Sequence, residues 1–224
     1  AGSTFKPITA AAALTAGIIT PETPLDSPSE ITLHKQKFHN FQYEHHGVIS
    51  LPYALRVSSD TFFYQVADKL WLQQIRAKDD YPLMDEARRF CLGRDTGIDL
   101  PGELPGNVPD PAWKKKAYAG TQYTDFQRSW LAGDTIQLGV GQGFLQVTPV
   151  QMATAYAAIA NGGTVVTPSV GLEVRDPNGR VVQQLAEGRP THPLGLRSDY
   201  LRAIRQGLYD AANGAMGTST SVFG

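Results

Sequence analysis

The chain has one cysteine, Cys91, so no internal disulfide can form. Cys91 sits in Ala87-Arg88-Arg89-Phe90-Cys91-Leu92, read as the end of a helix, and its expected role is that of a small buried hydrophobe. No stretch approaches the roughly 20 apolar residues of a membrane span, and no signal peptide is visible. Charge of one sign is also lacking. The net charge is −1, and the only local basic run is Lys114-Lys115-Lys116. That is too little for a nucleic-acid footprint, and the triplet is expected to be a solvated face. Internal repeats and low-complexity tracts are absent. With 42% hydrophobic and 18% charged residues in 224, the composition suits one globular domain with subdomains.

Helical signals dominate what is present. A first helix is predicted from near Ser3, with Pro7 in its first turn, a helix-favouring run Ala10-Ala11-Ala12-Ala13-Leu14, and Gly17 as its stop. Residues 20–50 read as an irregular excursion rich in Pro, Ser and His. Helices are predicted at 51–57, from Thr61 to about Gln74 with Phe62, Val66, Leu70 and Ile75 on one face, and from Asp85 to Leu92. Residues 93–147 hold many Gly and Pro with little periodicity. Thr148 to Ala160 reads as a helix, N-capped by Thr148, with Pro149 at its first position and Asn161-Gly162-Gly163 at its end. Two strand-like runs, Val170–Val174 and Arg180–Leu185, flank the turn Asp176-Pro177-Asn178-Gly179. A last helix is predicted from Ser198, as its N-cap, to about Ala212.

The chemistry-bearing pair is Ser3 and Lys6. Three residues apart at a helix start, they share a face, so Oγ and Nζ can meet. A serine hydroxyl needs a base to become a good nucleophile. A lysine is too basic for that task unless burial and the positive helix end lower its pKa. The backbone N–H of Ser3 could then donate to an oxyanion. A lone Ser-x-x-Lys is a weak signal, because an N-cap serine and a surface lysine produce it by chance.

The surrounding residues change that balance. Gly2-Ser3-Thr4-Phe5-Lys6-Pro7-Ile8-Thr9-Ala10 resembles the start of the penicillin-binding protein transpeptidase domain, a superfamily marked by Ser-x-x-Lys, Ser-x-Asn and Lys-Thr-Gly elements. Ser58-Ser59-Asp60-Thr61-Phe62-Phe63 resembles its second element, with Asp60 where most relatives have Asn. That aspartate is common in the elongation-type class B branch, the penicillin-binding protein 2 type. Trp113-Lys114-Lys115-Lys116, the run Ala132 to Gly143, and Thr148-Pro149-Val150-Gln151-Met152-Ala153 resemble the same branch. Gly139, Gly141 and Gly143 could suggest a dinucleotide loop. No β-rich run precedes them and the next helix begins later, so they read as a tight packed loop.

The resemblance implies an α+β fold: the mostly helical part of the penicillin-binding and serine β-lactamase-like transpeptidase fold, with a β-hairpin and an incomplete sheet. Residues 1–224 would be a partial transpeptidase domain, weakly active or inactive alone, with an N-terminal anchor, a pedestal and the C-terminal strands outside it. No Lys-Thr-Gly is present, although Gly217-Thr218-Ser219, within the run Gly214 to Gly224, resembles the segment before that strand. Ser3 would be the acylated nucleophile, Lys6 its base and Ser58 a proton shuttle, while Asp60 beside Lys6 would favour the ammonium. The implied activity is peptidoglycan D,D-transpeptidation, blocked by β-lactams, on the extracytoplasmic side of the bacterial membrane. Implied partners are peptidoglycan stem peptides, β-lactam antibiotics and a glycan polymerase of the elongation machinery, with membrane attachment only through the anchor. A serine β-lactamase and a non-catalytic β-lactam-binding sensor or scaffold are the alternatives. No cofactor is expected. Some elongation-type relatives hold zinc through Asp, His and Cys, but the cysteine's position is Ser59 here. His34, His39, His45 and His46 are therefore expected to be solvated loop histidines, with His46-Gly47 a structural turn.

Overall fold

The computed structural model describes residues 1–78 and 80–223; Gly224, the last residue of the C-terminal run named above, lies outside them. A 3-10 turn, Gly2–Phe5, feeds α1 (Lys6–Thr15). Its end is set by backbone geometry. Gly17 adopts φ +68°, and the N–H groups of Gly17 and Ile18 return to the carbonyls of Leu14 and Ala13, a Schellman closure. Every residue from Lys6 to Leu14 is buried. A helix apolar on all sides belongs at the centre of a fold, and its alanine run lets neighbours approach closely.

The excursion that follows is more regular than the sequence suggested. It contains β1 (Leu25–Ser27), β2 (Glu30–Leu33), β3 (Gln36–His39) and β4 (Gly47–Ile49). β1 pairs with β4 and β2 with β3, both antiparallel. The β2–β3 turn places His34 at φ 48° and Lys35 at φ 66°, the left-handed pair that Asn-Gly normally signals. The non-standard turn residues and strands of three or four residues hid this hairpin from pattern reading.

Then come α2 (Leu51–Arg56), α3 (Asp60–Ala77) and α4 (Pro82–Arg89). Phe62, Val66 and Leu70 of α3 are buried as their spacing predicted, whereas Ile75 is exposed. The 93–147 stretch carries three short helices: α5 (Pro111–Ala117), α6 (Asp125–Arg128) and α7 (Ala132–Gly139). Lys114 corrects the solvated-face reading of its triplet. It is buried, and its Nζ lies 2.6 Å from Asp134 Oδ2, tying α5 to α7. Lys115 and Lys116 stay exposed.

α8 (Pro149–Ala160) has the predicted cap, strengthened by Gln151, whose Oε1 accepts from the Thr148 N–H. The buried Gln151 amide also donates to the carbonyls of Arg94 and Pro105, pinning the preceding loop. β5 (Thr164–Val166) pairs with β8 (Thr191–Pro193), and β6 (Glu173–Arg175) with β7 (Val181–Gln184) across the predicted turn. The chain closes with α9 (Ser198–Asn213) and the short α10 (Thr220–Phe223). Arg197, not Ser198, is the N-cap of α9, and no side chain caps it. Among the described residues all sheets are two-stranded. One core unites them: α1 packs against α3, α4 and α9, while α2 lies on α9 and α3 on α7.

Candidate active site

Ser3 lies in the 3-10 turn ahead of α1 rather than in the helix itself, and it is exposed. First-turn N–H groups have no intrahelical acceptor, and the Ser3 N–H is one of them. The turn is held from outside. Gly2, at φ +59°, donates its N–H to the Gly141 carbonyl at 2.8 Å. Gly141 has φ +73°, and a Cβ there would fall 2.2 Å from the Gly2 carbonyl oxygen. Backbone therefore meets backbone with no room for a side chain. Next to this contact, Thr9 Oγ1 donates to the Gly139 carbonyl at 2.7 Å, and a Cβ on Gly139 would stand 2.4 Å from the Ala67 methyl. The glycines of the 139–143 run thus let α1, α3 and α7 meet at the candidate nucleophile. Tyr156 on α8 adds a hydroxyl donation to the Thr4 carbonyl at 3.1 Å.

Ser58 occupies an unusual junction. The Ser58 and Ser59 N–H groups return to the carbonyls of Leu55 and Ala54, so α2 ends in a Schellman closure. Ser58 fills the left-handed position, φ +52°, where glycine is the usual residue. An L-residue pays about 1–2 kcal/mol for that conformation. Ser59 then caps α3 at once, its Oγ accepting from the Phe62 N–H at 3.1 Å. Two helices join through Val57, Ser58 and Ser59, and the serine at the left-handed position is fixed in direction.

Lys6 receives what this junction offers. Its side chain is 1% exposed. Nζ donates to the Ser58 carbonyl at 2.5 Å and to Ser58 Oγ at 2.9 Å, and lies 2.7 Å from Asp60 Oδ1. Three acceptors account for all three ammonium protons. Lys6 is therefore turned to the second motif rather than hydrogen-bonded to Ser3, although sequence spacing alone allowed the direct contact. Burial pulls the Lys6 pKa below its ordinary value; the charge of Asp60 and its hydrogen bond pull the other way.

Ser3, Lys6 and Ser58 line one cavity of about 200 Å³, with Thr4, Tyr156, Thr218 and Ser219 among its other walls. Asp60 does not line it. A larger cavity of about 710 Å³ lies between α8 and α9 and shares Tyr156 and Leu208 with it. Sequence reasoning missed Tyr156, Thr218 and Ser219 as wall residues. They lie more than 150 positions from Ser3, with no motif spacing to connect them.

The histidines do not share one environment. His34 Nε2 lies 2.6 Å from Asp68 Oδ1, and His39 stacks on Tyr43. His46 departs from the solvated-loop reading. Its ring is 4% exposed beside Glu44, and burial holds its pKa below the usual histidine value. Among the described residues, no three His, Cys, Asp or Glu side chains converge as a metal-binding group.

Comparison with known proteins places this geometry in context. The model of the penicillin binding protein transpeptidase domain matches residues 1–223. The chain is similar to the peptidoglycan D,D-transpeptidase MrdA of Salmonella typhimurium, at 34% identity over 99% of this chain and 33% of that protein. It is also similar to MrdA of Escherichia coli K12, at 33% identity over 99% of this chain and 32% of that protein. The chain thus spans about a third of the length of these relatives. Among solved structures, Pseudomonas aeruginosa PBP2 in complex with WCK 5153 superposes with a TM-score of 0.81 at 30% identity, covering 99% of this chain and 44% of that one. Helicobacter pylori PBP2, solved in complex with MreC, gives 0.77 at 28% identity, covering 97% and 35%. With a family model matching almost its whole length and an α+β architecture shared with PBP2 structures, the chain belongs to the penicillin-binding protein transpeptidase domain family.

Proposed function

We propose that the protein carrying this chain is a serine-type peptidoglycan D,D-transpeptidase, with Ser3, Lys6, Ser58 and Asp60 in its active site. The observation that supports this best is the trio of contacts from buried Lys6 to Ser58 and Asp60, on the wall of a cavity that Ser3 also lines. In the proposed reaction, Ser3 Oγ attacks the penultimate D-Ala carbonyl of a stem peptide. Its proton passes to Lys6 once that amine is neutral. The Ser3 N–H stabilises the developing oxyanion. The C–N bond then breaks, and terminal D-Ala leaves with a proton delivered from Lys6 through the Ser58 hydroxyl. An amine of a neighbouring stem attacks the resulting ester, forms the cross-link and frees Ser3. A β-lactam acylates the same hydroxyl by ring opening, and the slow hydrolysis of that ester traps the enzyme.

Burial disfavours the Lys6 ammonium and the Asp60 carboxylate favours it, so substrate entry that weakens the Asp60 contact would favour Lys6 as base. The third, Lys-Thr-Gly element, supplying the substrate-carboxylate site, would come from elsewhere in the full-length protein. The resemblance to the penicillin-binding protein 2 type supports an elongation role, with a glycan polymerase as partner. The Helicobacter pylori relative was solved with MreC, and another similar chain belongs to a peptidoglycan synthase complex, at a TM-score of 0.76 and 27% identity. Attachment to the bacterial membrane by a segment outside this chain, with the domain extracytoplasmic, completes the proposal. Among the described residues no helix is long and apolar enough to cross a membrane.

The test is labelling of the full-length protein with a fluorescent penicillin. Wild type should acquire one label, found by mass spectrometry on the peptide bearing Ser3, and Ser3→Ala should acquire none. Undiminished labelling of Ser3→Ala would refute the assignment. Labelling at Ser3 without any cross-linking of stem peptides would point to a sensor instead.

A further inference from the structure

Between Ser58 and Asp60, both bonded to Lys6, stands Ser59, which faces the other way. Its hydroxyl enters a buried polar cluster with Ser27, Asn40 and Thr61, each 1% exposed or less. Ser27 ends β1 and Asn40 follows β3, so the cluster joins the excursion to the first turn of α3. Its hydrogen bonds run in one direction. Thr61 Oγ1 donates to the Pro28 carbonyl at 3.0 Å, so Ser27 must donate to Thr61 Oγ1, also 3.0 Å away. Ser59 then donates to Ser27 Oγ at 2.6 Å, while its own oxygen accepts from the Phe62 N–H. Asn40 closes the cluster. Its Oδ1 accepts from the Thr61 N–H at 2.9 Å, and its amide donates to the carbonyls of Pro28 at 3.1 Å and Glu44 at 2.9 Å. Two first-turn N–H groups of α3 are thereby capped, one by Ser59 and one by a residue from outside the helix.

We infer that Ser27, Asn40 and Ser59 are positioning residues for the second motif, holding Ser58 in its left-handed conformation so that its carbonyl and hydroxyl both face Lys6. A strained residue persists only where its surroundings over-determine it. On one side Ser58 is held by the end of α2. On the other it is held by the Lys6 bonds to its carbonyl and hydroxyl and, along the backbone, through Ser59, which this cluster fixes. A buried network with each member satisfied is rigid, and deletion of one hydroxyl leaves its partners unpaired. The Lys6 bonds go to Ser58 and Asp60, and Ser27 and Asn40 do not line the cavity of Ser3, so their effect on the reaction would pass through Ser59 and Thr61.

This inference rests on the proposed transpeptidase reading. It is tested in the full-length protein by the kinetics of acylation with a fluorescent penicillin, separating non-covalent affinity from the acylation rate constant, well below each variant's melting temperature. Asn40→Ala and the milder Ser27→Ala should lower the rate constant at least about tenfold, the low end of an acid–base contribution, with affinity unchanged. Leu194→Ala, a fully buried site beside β8, serves as the control: it should lower the melting temperature and leave the rate constant alone. If Asn40→Ala does not fold, Ser27→Ala decides. Wild-type acylation rates in a folded Ser27→Ala would overturn the inference, as would losses in both cluster variants that merely track the melting temperature as in Leu194→Ala. Failure of wild type to acylate at all would instead overturn the underlying reading of Ser3.

Discussion

Replacing Asp60 by Asn should make Lys6 a base at lower pH, and the size of the effect follows from the geometry. Asp60 Oδ1 lies 2.7 Å from a lysine nitrogen that is 1% exposed, while the aspartate is 21% exposed. An opposite charge at such range typically moves a titration by about one to three pH units, and the partial exposure of Asp60 argues for the lower part of that range. Asparagine keeps the volume and the Oδ1 acceptor, so charge is the main loss. The acid limb of acylation should therefore move down by about one to two pH units, and each unit multiplies the neutral amine below the limb about tenfold. Stability supplies a second readout. Burial, opposed by Asp60, already holds Lys6 below its unfolded value of 10.5. Over the interval between the folded and unfolded values the native state binds fewer protons than the unfolded one, so stability rises with pH there. The substitution widens that interval downward. Asp60→Asn should melt lower than wild type at neutral pH and recover as pH rises towards 10.5. Acylation by a fluorescent penicillin, followed with melting curves across pH, measures both. An acid limb that stays in place or moves up would refute the claim that Asp60 favours the Lys6 ammonium.

Other substitutions probe the supporting geometry. Ser58→Gly relieves a left-handed conformation worth about 1–2 kcal/mol, offsetting the lost hydrogen bond to Lys6. Its melting temperature should stay near wild type while acylation falls about 10²- to 10⁴-fold; a strongly destabilised protein would contradict the strain argument. Gly141→Ala combines a positive φ with a Cβ 2.2 Å from the Gly2 carbonyl and should cost more than about 2 kcal/mol in denaturant unfolding. Gly2→Ala, whose Cβ meets open space, should cost only the conformational part, about 1–2 kcal/mol. Glu86, on α4, is 3% exposed, its Oε1 has no hydrogen-bond partner among the described residues, and burial raises its pKa against the opposing pull of Arg89. An acid whose folded pKa is raised loses stability as pH climbs from its unfolded value, 4.5, through the folded one. Glu86→Gln should therefore raise the melting temperature at neutral pH, with the gain vanishing in acid; an equal gain at both would refute it.

The sequence by itself determined most of what repeats locally. Periodicity in α3, the Thr148-Pro149 start of α8 and the approximate bounds of α9 were legible, because Phe62, Val66 and Leu70, or Thr148 with Pro149, act within one or two turns of their own helix. Ser3, Lys6, Ser58 and Asp60 were legible as candidates because each stands in a short contiguous motif. Short strands joined by atypical turn residues were not legible: His34-Lys35 closes a hairpin that pattern rules reserve for Asn-Gly. Nor was the burial of Lys114, since a lysine in a basic run is identified as an ion-pair partner only when Asp134 comes to meet it. Tertiary structure alone decided that all three Lys6 protons go to Ser58 and Asp60 with none left for Ser3, that Gly2 meets Gly141 backbone to backbone, and that Ser27 and Asn40 reach Ser59. The reason is physical. A side chain's rotamer and its desolvation depend on which distant segments close around it, and those segments are separated here by dozens of residues that carry no shared spacing.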